Sequence, residues 1–245
     1  MPIIYLSPST QEWNLYLNGG TEEYYMNLIA DAMVPYLRSC GIHYTRNTPN
    51  MTAASSIRAS NAGRYDLHLA LHSNASPESS AGQNRGSEVY YAAGSRNGKR
   101  AAEIIANNLK KIYPYPEKVR ALTTNYLGEV TKTRAPAVLI EFAYHDNQED
   151  MDWIVNNIQA IAANVVQSLT EYFGIPFILP QQPVVGVVTT QRTSLNIRSK
   201  PSITAPIIGQ VGRGYRVTVY GTWEDWYVID SSGVVGYANS RYITL

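Results

Sequence analysis

Ala137-Val138-Leu139-Ile140-Glu141-Phe142 is an almost continuous apolar run broken by a single acid. A strand that is apolar on both faces must be covered on both, which is the situation at the centre of a largely parallel sheet flanked by helices. Asp66-Leu67-His68-Leu69-Ala70-Leu71-His72 reads as a second strand of this kind. Ile3 to Leu6, running into Ser7-Pro8-Ser9, reads as a third that ends in a loop. Two further strands are expected over Ile42 to Thr45 and Gly86 to Tyr91. Between the strands the period changes from two to three and four. Glu22 to Arg38 carries Met26, Ile29, Met33 and Leu37 on one stripe and two acids in its first turn, with Pro35 as an expected kink and Gly41 as a cap. Asn97 to Ile112 repeats the pattern with Ala101, Ile105, Leu109 and Ile112. A single long helix is expected from about Glu149 to Phe173, burying Ile154, Ile158, Ile161, Val165 and Leu169. Strands alternating with helices make an α/β fold: a mostly parallel sheet with helices on both faces.

The pattern stops after Phe173. Pro176, Pro180 and Pro183 fall in a segment with no helical period, so residues 176–183 read as a stiff linker. From Val184 the chain turns to short alternating segments, such as Arg216 to Tyr220 and Trp226 to Asp230, punctuated by glycines. The expected organisation is therefore an α/β domain over 1–175, a linker over 176–183 and a small all-β barrel over 184–245.

Lys and Arg number 20 against 19 for Asp and Glu, and 44% of the residues are apolar. A folded chain with no long-range field follows, and nucleic acid is not an expected partner. Nineteen tyrosines against four tryptophans and three phenylalanines offer rings that suit core edges and carbohydrate alike. Cys40 is the one cysteine, so it forms no internal disulfide and is read as a small buried hydrophobe. No membrane span and no signal peptide are read in the sequence. The expectation is cytoplasmic synthesis, with release by lysis or non-classical export if the site of action lies outside.

In a sheet of this class ligands sit beyond the carboxyl ends of the strands. His72, Glu141 and the loop Ser7 to Asn14 fall there, and Glu23 stands at the start of the helix that the loop feeds. An imidazole and several carboxylates on one rim suit a catalytic zinc with an open position for water. Each signal has a plainer reading: His72 can end a strand in a turn, and Glu23 can complement a helix dipole. Glu141 is harder to set aside, because an unpaired charge at the end of a buried strand is costly.

Glu23 with Asn27, Asp66 through His72-Ser73-Asn74-Ala75, Gly86 through Tyr91, and Pro136 through Glu141 together resemble the zinc-dependent N-acetylmuramoyl-L-alanine amidases of type 3. The likeness runs in order from Ile3 to about Phe173. It implies Zn²⁺ as cofactor, Glu23 and His72 as ligands, and Glu141 as the catalytic base. The family's first ligand is a histidine in a Gly-His pair after the opening strand, and the matching positions here read Ser9-Thr10. Glu12 is the expected replacement, with His145 and Glu129 as alternatives; Glu12 can also simply solvate the loop. His68 is expected to lie too far along its strand to share a metal with His72.

Leu195 through Pro201, Gly209, Val217-Thr218-Val219, Trp226-Tyr227-Val228 and Gly236-Tyr237-Ala238 resemble bacterial SH3-type domains, with Trp223, Trp226 and Tyr237 open to a plainer reading as barrel core. The two resemblances imply a monomeric peptidoglycan hydrolase of the autolysin or endolysin kind. It would act at the cell wall, cleaving the amide between N-acetylmuramic acid and L-alanine by zinc-activated water. Two other readings stay open at this stage: a zinc peptidase acting on the stem peptide, and a wall-binding protein that has lost its metal.

Overall fold

The computed structural model describes residues 1–245. Its six-stranded sheet is built from β1 (Ile3–Pro8), β2 (His43–Arg46), β3 (Leu67–Asn74), β4 (Glu88–Ala92), β5 (Arg120–Thr124) and β6 (Ala137–Tyr144), in the order β2-β1-β3-β6-β4-β5. β1 runs parallel to β3, β3 to β6, and β4 to β5, while β4 meets β6 antiparallel. β3 and β6 lie side by side at the centre, which is why both are almost wholly buried and apolar.

Helix α1 (Glu22–Ser39) runs through Pro35 and buries Met26, Ile29, Met33 and Leu37. It ends at Gly41, whose φ of 71° an L side chain rarely adopts. The Gly41 amide donates to Arg38 and that of Ile42 to Leu37, closing the helix end. α2 (Ala53–Ala62) was not expected from periodicity, since AASSIRASNA has no apolar stripe; a reciprocal cap between Thr52 and Ser55 starts it. α3 (Arg96–Leu109) and a short α4 (Gly128–Thr131) follow. β5 and α4 were likewise unforeseen. The long helix expected near 149–173 is two helices, α5 (Gln148–Asn156) and α6 (Ile158–Phe173). Asn157 breaks them at φ −123°, ψ 21°, its side chain donating to the Trp153 carbonyl.

The second sheet has seven antiparallel strands: β7 (Val184–Val188), β8 (Leu195–Arg198), β9 (Ile207–Val211), β10 (Arg216–Trp223), β11 (Trp226–Ser231), β12 (Val234–Asn239) and β13 (Ile243–Thr244), in the order β13-β7-β10-β11-β12-β8-β9. Alternate residues Val188, Leu195, Ile197, Val211, Val217, Val219, Ile229, Ala238 and Ile243 fill its interior. Trp226 and Tyr237 are buried and Trp223 is 38% exposed.

The chain divides into two compact units: residues 3–33 with 44–172, and residues 1–2, 34–43 and 173–245. Within the second unit Ser39 and Cys40 hold the segment before β7. Ser39 Oγ donates to the Ile178 carbonyl at 2.6 Å, the Ile178 amide meets Cys40 Sγ at 3.2 Å, and the Tyr237 hydroxyl donates to the Cys40 carbonyl at 3.0 Å. Cys40 is buried, and burial pushes its thiol up to about 11.

Candidate active site

The parallel register sets His72 beside Glu141, and the antiparallel one sets Glu88 on Glu141's other side. Three ionisable side chains thus stand in one row across β3, β6 and β4. The loop after β1 closes over this row. Ser9 extends the β1–β3 pairing through its amide to Leu71 O at 2.9 Å, and its hydroxyl accepts from the Gln11 amide at 3.2 Å. Asn14 then binds Glu22 twice: its carbonyl accepts from the Glu22 amide at 2.9 Å, and its Nδ2 donates to Oε2 at 2.6 Å.

His72 is the hub. Its Nδ1 lies 2.8 Å from Glu22 Oε1 and its Nε2 lies 3.1 Å from Glu129 Oε2. Glu129, at the start of α4, reaches His68 Nε2 at 3.3 Å with its other oxygen, which also accepts from the Ser7 hydroxyl. His68 is stacked on Tyr5 and meets Ser60 Oγ at 3.0 Å. A continuous buried chain therefore runs Ser60, His68, Glu129, His72, Glu22. It fixes the His72 ring from both sides.

Burial alone would push the His72 imidazole down, but its hydrogen bonds to Glu129 and Glu22 outweigh this and hold it well above the ordinary histidine range. The reciprocal effect draws Glu129 to about 2 against the desolvation that would raise it, and lowers Glu22. Glu141 goes the other way. Desolvation, with Glu22, Glu88 and Glu129 as like charges, lifts it to about 7 despite the pull of His72. Its Oε2 is sealed from water and has no hydrogen-bond partner.

The structure brings together His72, Glu141 and Glu129 of the expected residues, and Glu22, the neighbour of Glu23, joins them. Glu22 is 1% exposed and touches His72, whereas the Glu23 side chain accepts from Asn27 Nδ2 at 3.1 Å. A helix turns about 100° per residue, so only one of two adjacent acids can face the sheet. Glu12, the expected third ligand, is exposed and makes no hydrogen bond or ion pair with the cluster. His145 is buried but bonds Ser73, with Nδ1 3.0 Å from its hydroxyl, and packs on Tyr16. His68, set aside as too distant, joins the site through Glu129. Gln11, not foreseen, lies within 3.4 Å of Glu22 and His72. A pocket of about 240 Å³ opens onto the hub, lined by Gln11, His72, Glu129 and Trp13, whose side chain is 68% exposed.

A carboxylate and an imidazole nitrogen face each other, a second carboxylate orients that imidazole, and an unpartnered carboxyl oxygen waits alongside. Such a donor set suits a divalent cation with an adjacent proton acceptor. No three His, Cys, Asp or Glu side chains converge on one point, so these residue types alone offer two close donors.

The N-acetylmuramoyl-L-alanine amidase family profile matches residues 13–171, more than half of the chain. The chain belongs to that family. A bacterial SH3 domain matches residues 193–244, which hold β8 to β13 of the second sheet. Among solved structures, the catalytic domain of the CD27L endolysin targeting Clostridia difficile is 25% identical with a TM-score of 0.58, covering 70% of this chain and 98% of that one. The amidase AmiC2 of Nostoc punctiforme is 15% identical with a TM-score of 0.61, covering 71% and 97%. An amidase from Clostridium difficile 630, also 15% identical, has a TM-score of 0.62 over 71% and 97%. No curated protein matches the chain. The amidase is thus a peptidoglycan hydrolase acting on the cell wall, of a family that is generally zinc-dependent. No helix of it is long and apolar enough to cross a membrane.

Proposed function

We propose that the amidase cleaves the bond between N-acetylmuramic acid and L-alanine with Glu141 as the proton shuttle, at a zinc held by Glu22 and His72. The observation that supports this best is the unpartnered, buried Oε2 of Glu141 next in register to His72, whose Nδ1 faces Glu22. A bound zinc would supply Lewis acidity toward the scissile carbonyl and the attacking water. Glu141 accepts the proton from that water at Oε2 and passes it to the departing alanine nitrogen. A carboxyl held up near 7 is suited to both halves of the transfer, since it neither ionises too readily nor clings to the proton. Glu129 holds the opposite nitrogen of His72 and so keeps Nδ1 turned toward Glu22.

Trp13 beside the pocket offers an exposed ring to the sugar side of the substrate. The barrel carries a groove of about 1230 Å³ lined by Arg192, Asn196, Asp225, Trp226 and Tyr242 among others, a mixture suited to a peptide rather than an apolar ligand. We assign it to wall binding by the amidase, which acts as a monomer. The test of the catalytic assignment is Glu141→Gln, with zinc content and new amino-terminal alanine both measured. Loss of alanine release with zinc retained is expected; undiminished release contradicts the assignment.

A further inference from the structure

We propose that the side-chain carbonyl of Gln11 is the third protein donor to the metal, completing a Gln11, Glu22 and His72 site in which a neutral oxygen stands where the family uses histidine. The inference rests on the reading that Glu22 and His72 hold zinc. The Gln11 amide nitrogen lies 3.4 and 3.3 Å from the two Glu22 oxygens and 3.4 Å from His72 Nδ1. The amide therefore forms the third corner of a triangle whose other corners are the carboxylate and the imidazole nitrogen facing each other at 2.8 Å.

An amide's oxygen and nitrogen ends exchange by a half-turn of its terminal torsion, with the group staying in place. Toward a carboxylate the NH₂ end is the one presented; toward a cation the same group presents its oxygen. The backbone of Gln11 is anchored for this, its amide donating to Ser9 Oγ at 3.2 Å while Ser9 is tied to Leu71 at 2.9 Å.

The other suppliers are committed elsewhere. Glu12 is exposed. Glu129 is spent on the far nitrogen of His72, on His68 and on Ser7. His145 is engaged with Ser73. Charge points the same way. Glutamine for histidine is a neutral-for-neutral exchange, so with one carboxylate the divalent site keeps a net charge of about +1, as in a two-histidine, one-glutamate set. A second carboxylate in the first shell would cancel that charge and with it much of the Lewis acidity. The pocket of about 240 Å³ borders Gln11 and His72, leaving an open side for water and substrate.

The test is zinc affinity by competition with a chromophoric chelator, on the full chain, together with the visible spectrum of the cobalt-loaded protein. Gln11→Ala should weaken zinc by more than about 100-fold, beyond the range typical of groups outside the first shell. Gln11→His should bind at least as tightly as wild type and shift the cobalt bands, Gln11→Glu should keep binding, and Glu12→Ala should leave it unchanged. If Gln11→Ala does not fold, the His and Glu variants decide. Wild-type zinc binding lost in His72→Ala but retained within about threefold in Gln11→Ala overturns the Gln11 assignment alone. A loss of only about 10- to 100-fold with unaltered cobalt bands marks an outer position and overturns it too. A wild type that takes up no zinc overturns both this and the reading it rests on.

Discussion

The six-stranded sheet and the helices packed on it bury His68, His72, Glu88, Glu129 and Glu22, with the sealed oxygen of Glu141 among them. The seven-stranded sheet buries no acidic or basic side chain at all: Thr190 is the one polar residue buried among residues 184–245, and the interior is otherwise aliphatic and aromatic. The two differ in what their cores are for. A barrel of alternating apolar residues gains from every side chain it hides. The amidase sheet instead keeps several charges away from water, which is stable only while each has its partner. Glu141, the one without a partner, is the group placed to move a proton.

Substitutions should separate the two behaviours. The largest effect is expected at Glu141. Glu141→Gln should slow alanine release by about 10²- to 10⁴-fold, the range of general acid–base contributions, without lowering the melting temperature. Equal slowing by Ile229→Val in the barrel would erase the contrast.

Next comes Glu129→Ala, which leaves His68 and the far nitrogen of His72 without their acceptor. A destabilisation of about 1–3 kcal/mol is expected, along with weakened zinc binding. Its pH dependence has a sign. A carboxyl drawn to about 2 when folded contributes stability above its ordinary value near 4.5 and loses it as pH falls toward 2, so the acid limb of the melting curve should flatten in Glu129→Gln. Glu141 works in the opposite sense. Its folded value of about 7 favours folding at low pH, and that advantage fades as pH rises from about 4.5 to 7. Turnover should therefore drop as pH falls below about 7, with a bound cation moving this limb lower; a limb unchanged in Glu141→Gln would remove Glu141 as its source.

Ile229→Val should cost about 0.5–1.5 kcal/mol and leave turnover on soluble muropeptides intact. Smallest of all, Trp13→Ala should raise KM a fewfold with kcat little changed, the mark of uniform binding; an effect on kcat alone would contradict a sugar-facing role.

The contrast also explains what could be read from the sequence. Strands β3 and β6 were legible because a fully buried strand leaves a run such as Val138-Leu139-Ile140, and the barrel because alternation and glycines mark short antiparallel strands. Helix α2 was not, since its ten residues carry no stripe and its start depends on a local cap. The break at Asn157 was hidden by apolar residues that keep phase on both sides of it. At the site, Glu141 and His72 stood out as polar ends of apolar strands. Glu22 was readable too: positions 22, 26, 29 and 33 share one helical stripe, and all four are buried. Resemblance pointed instead to its neighbour, Glu23. Gln11 could not have been found this way, because an uncharged amide in a loop carries no periodic signal, and only the fold of residues 9–22 brings it to the carboxylate.

That one-residue difference gives the sharpest test. Zinc content should be measured after exhaustive dialysis in wild type, Glu22→Ala and Glu23→Ala prepared side by side. One zinc per chain is expected in wild type and Glu23→Ala, and its loss in Glu22→Ala. Retention in Glu22→Ala with loss in Glu23→Ala would contradict the Glu22 assignment.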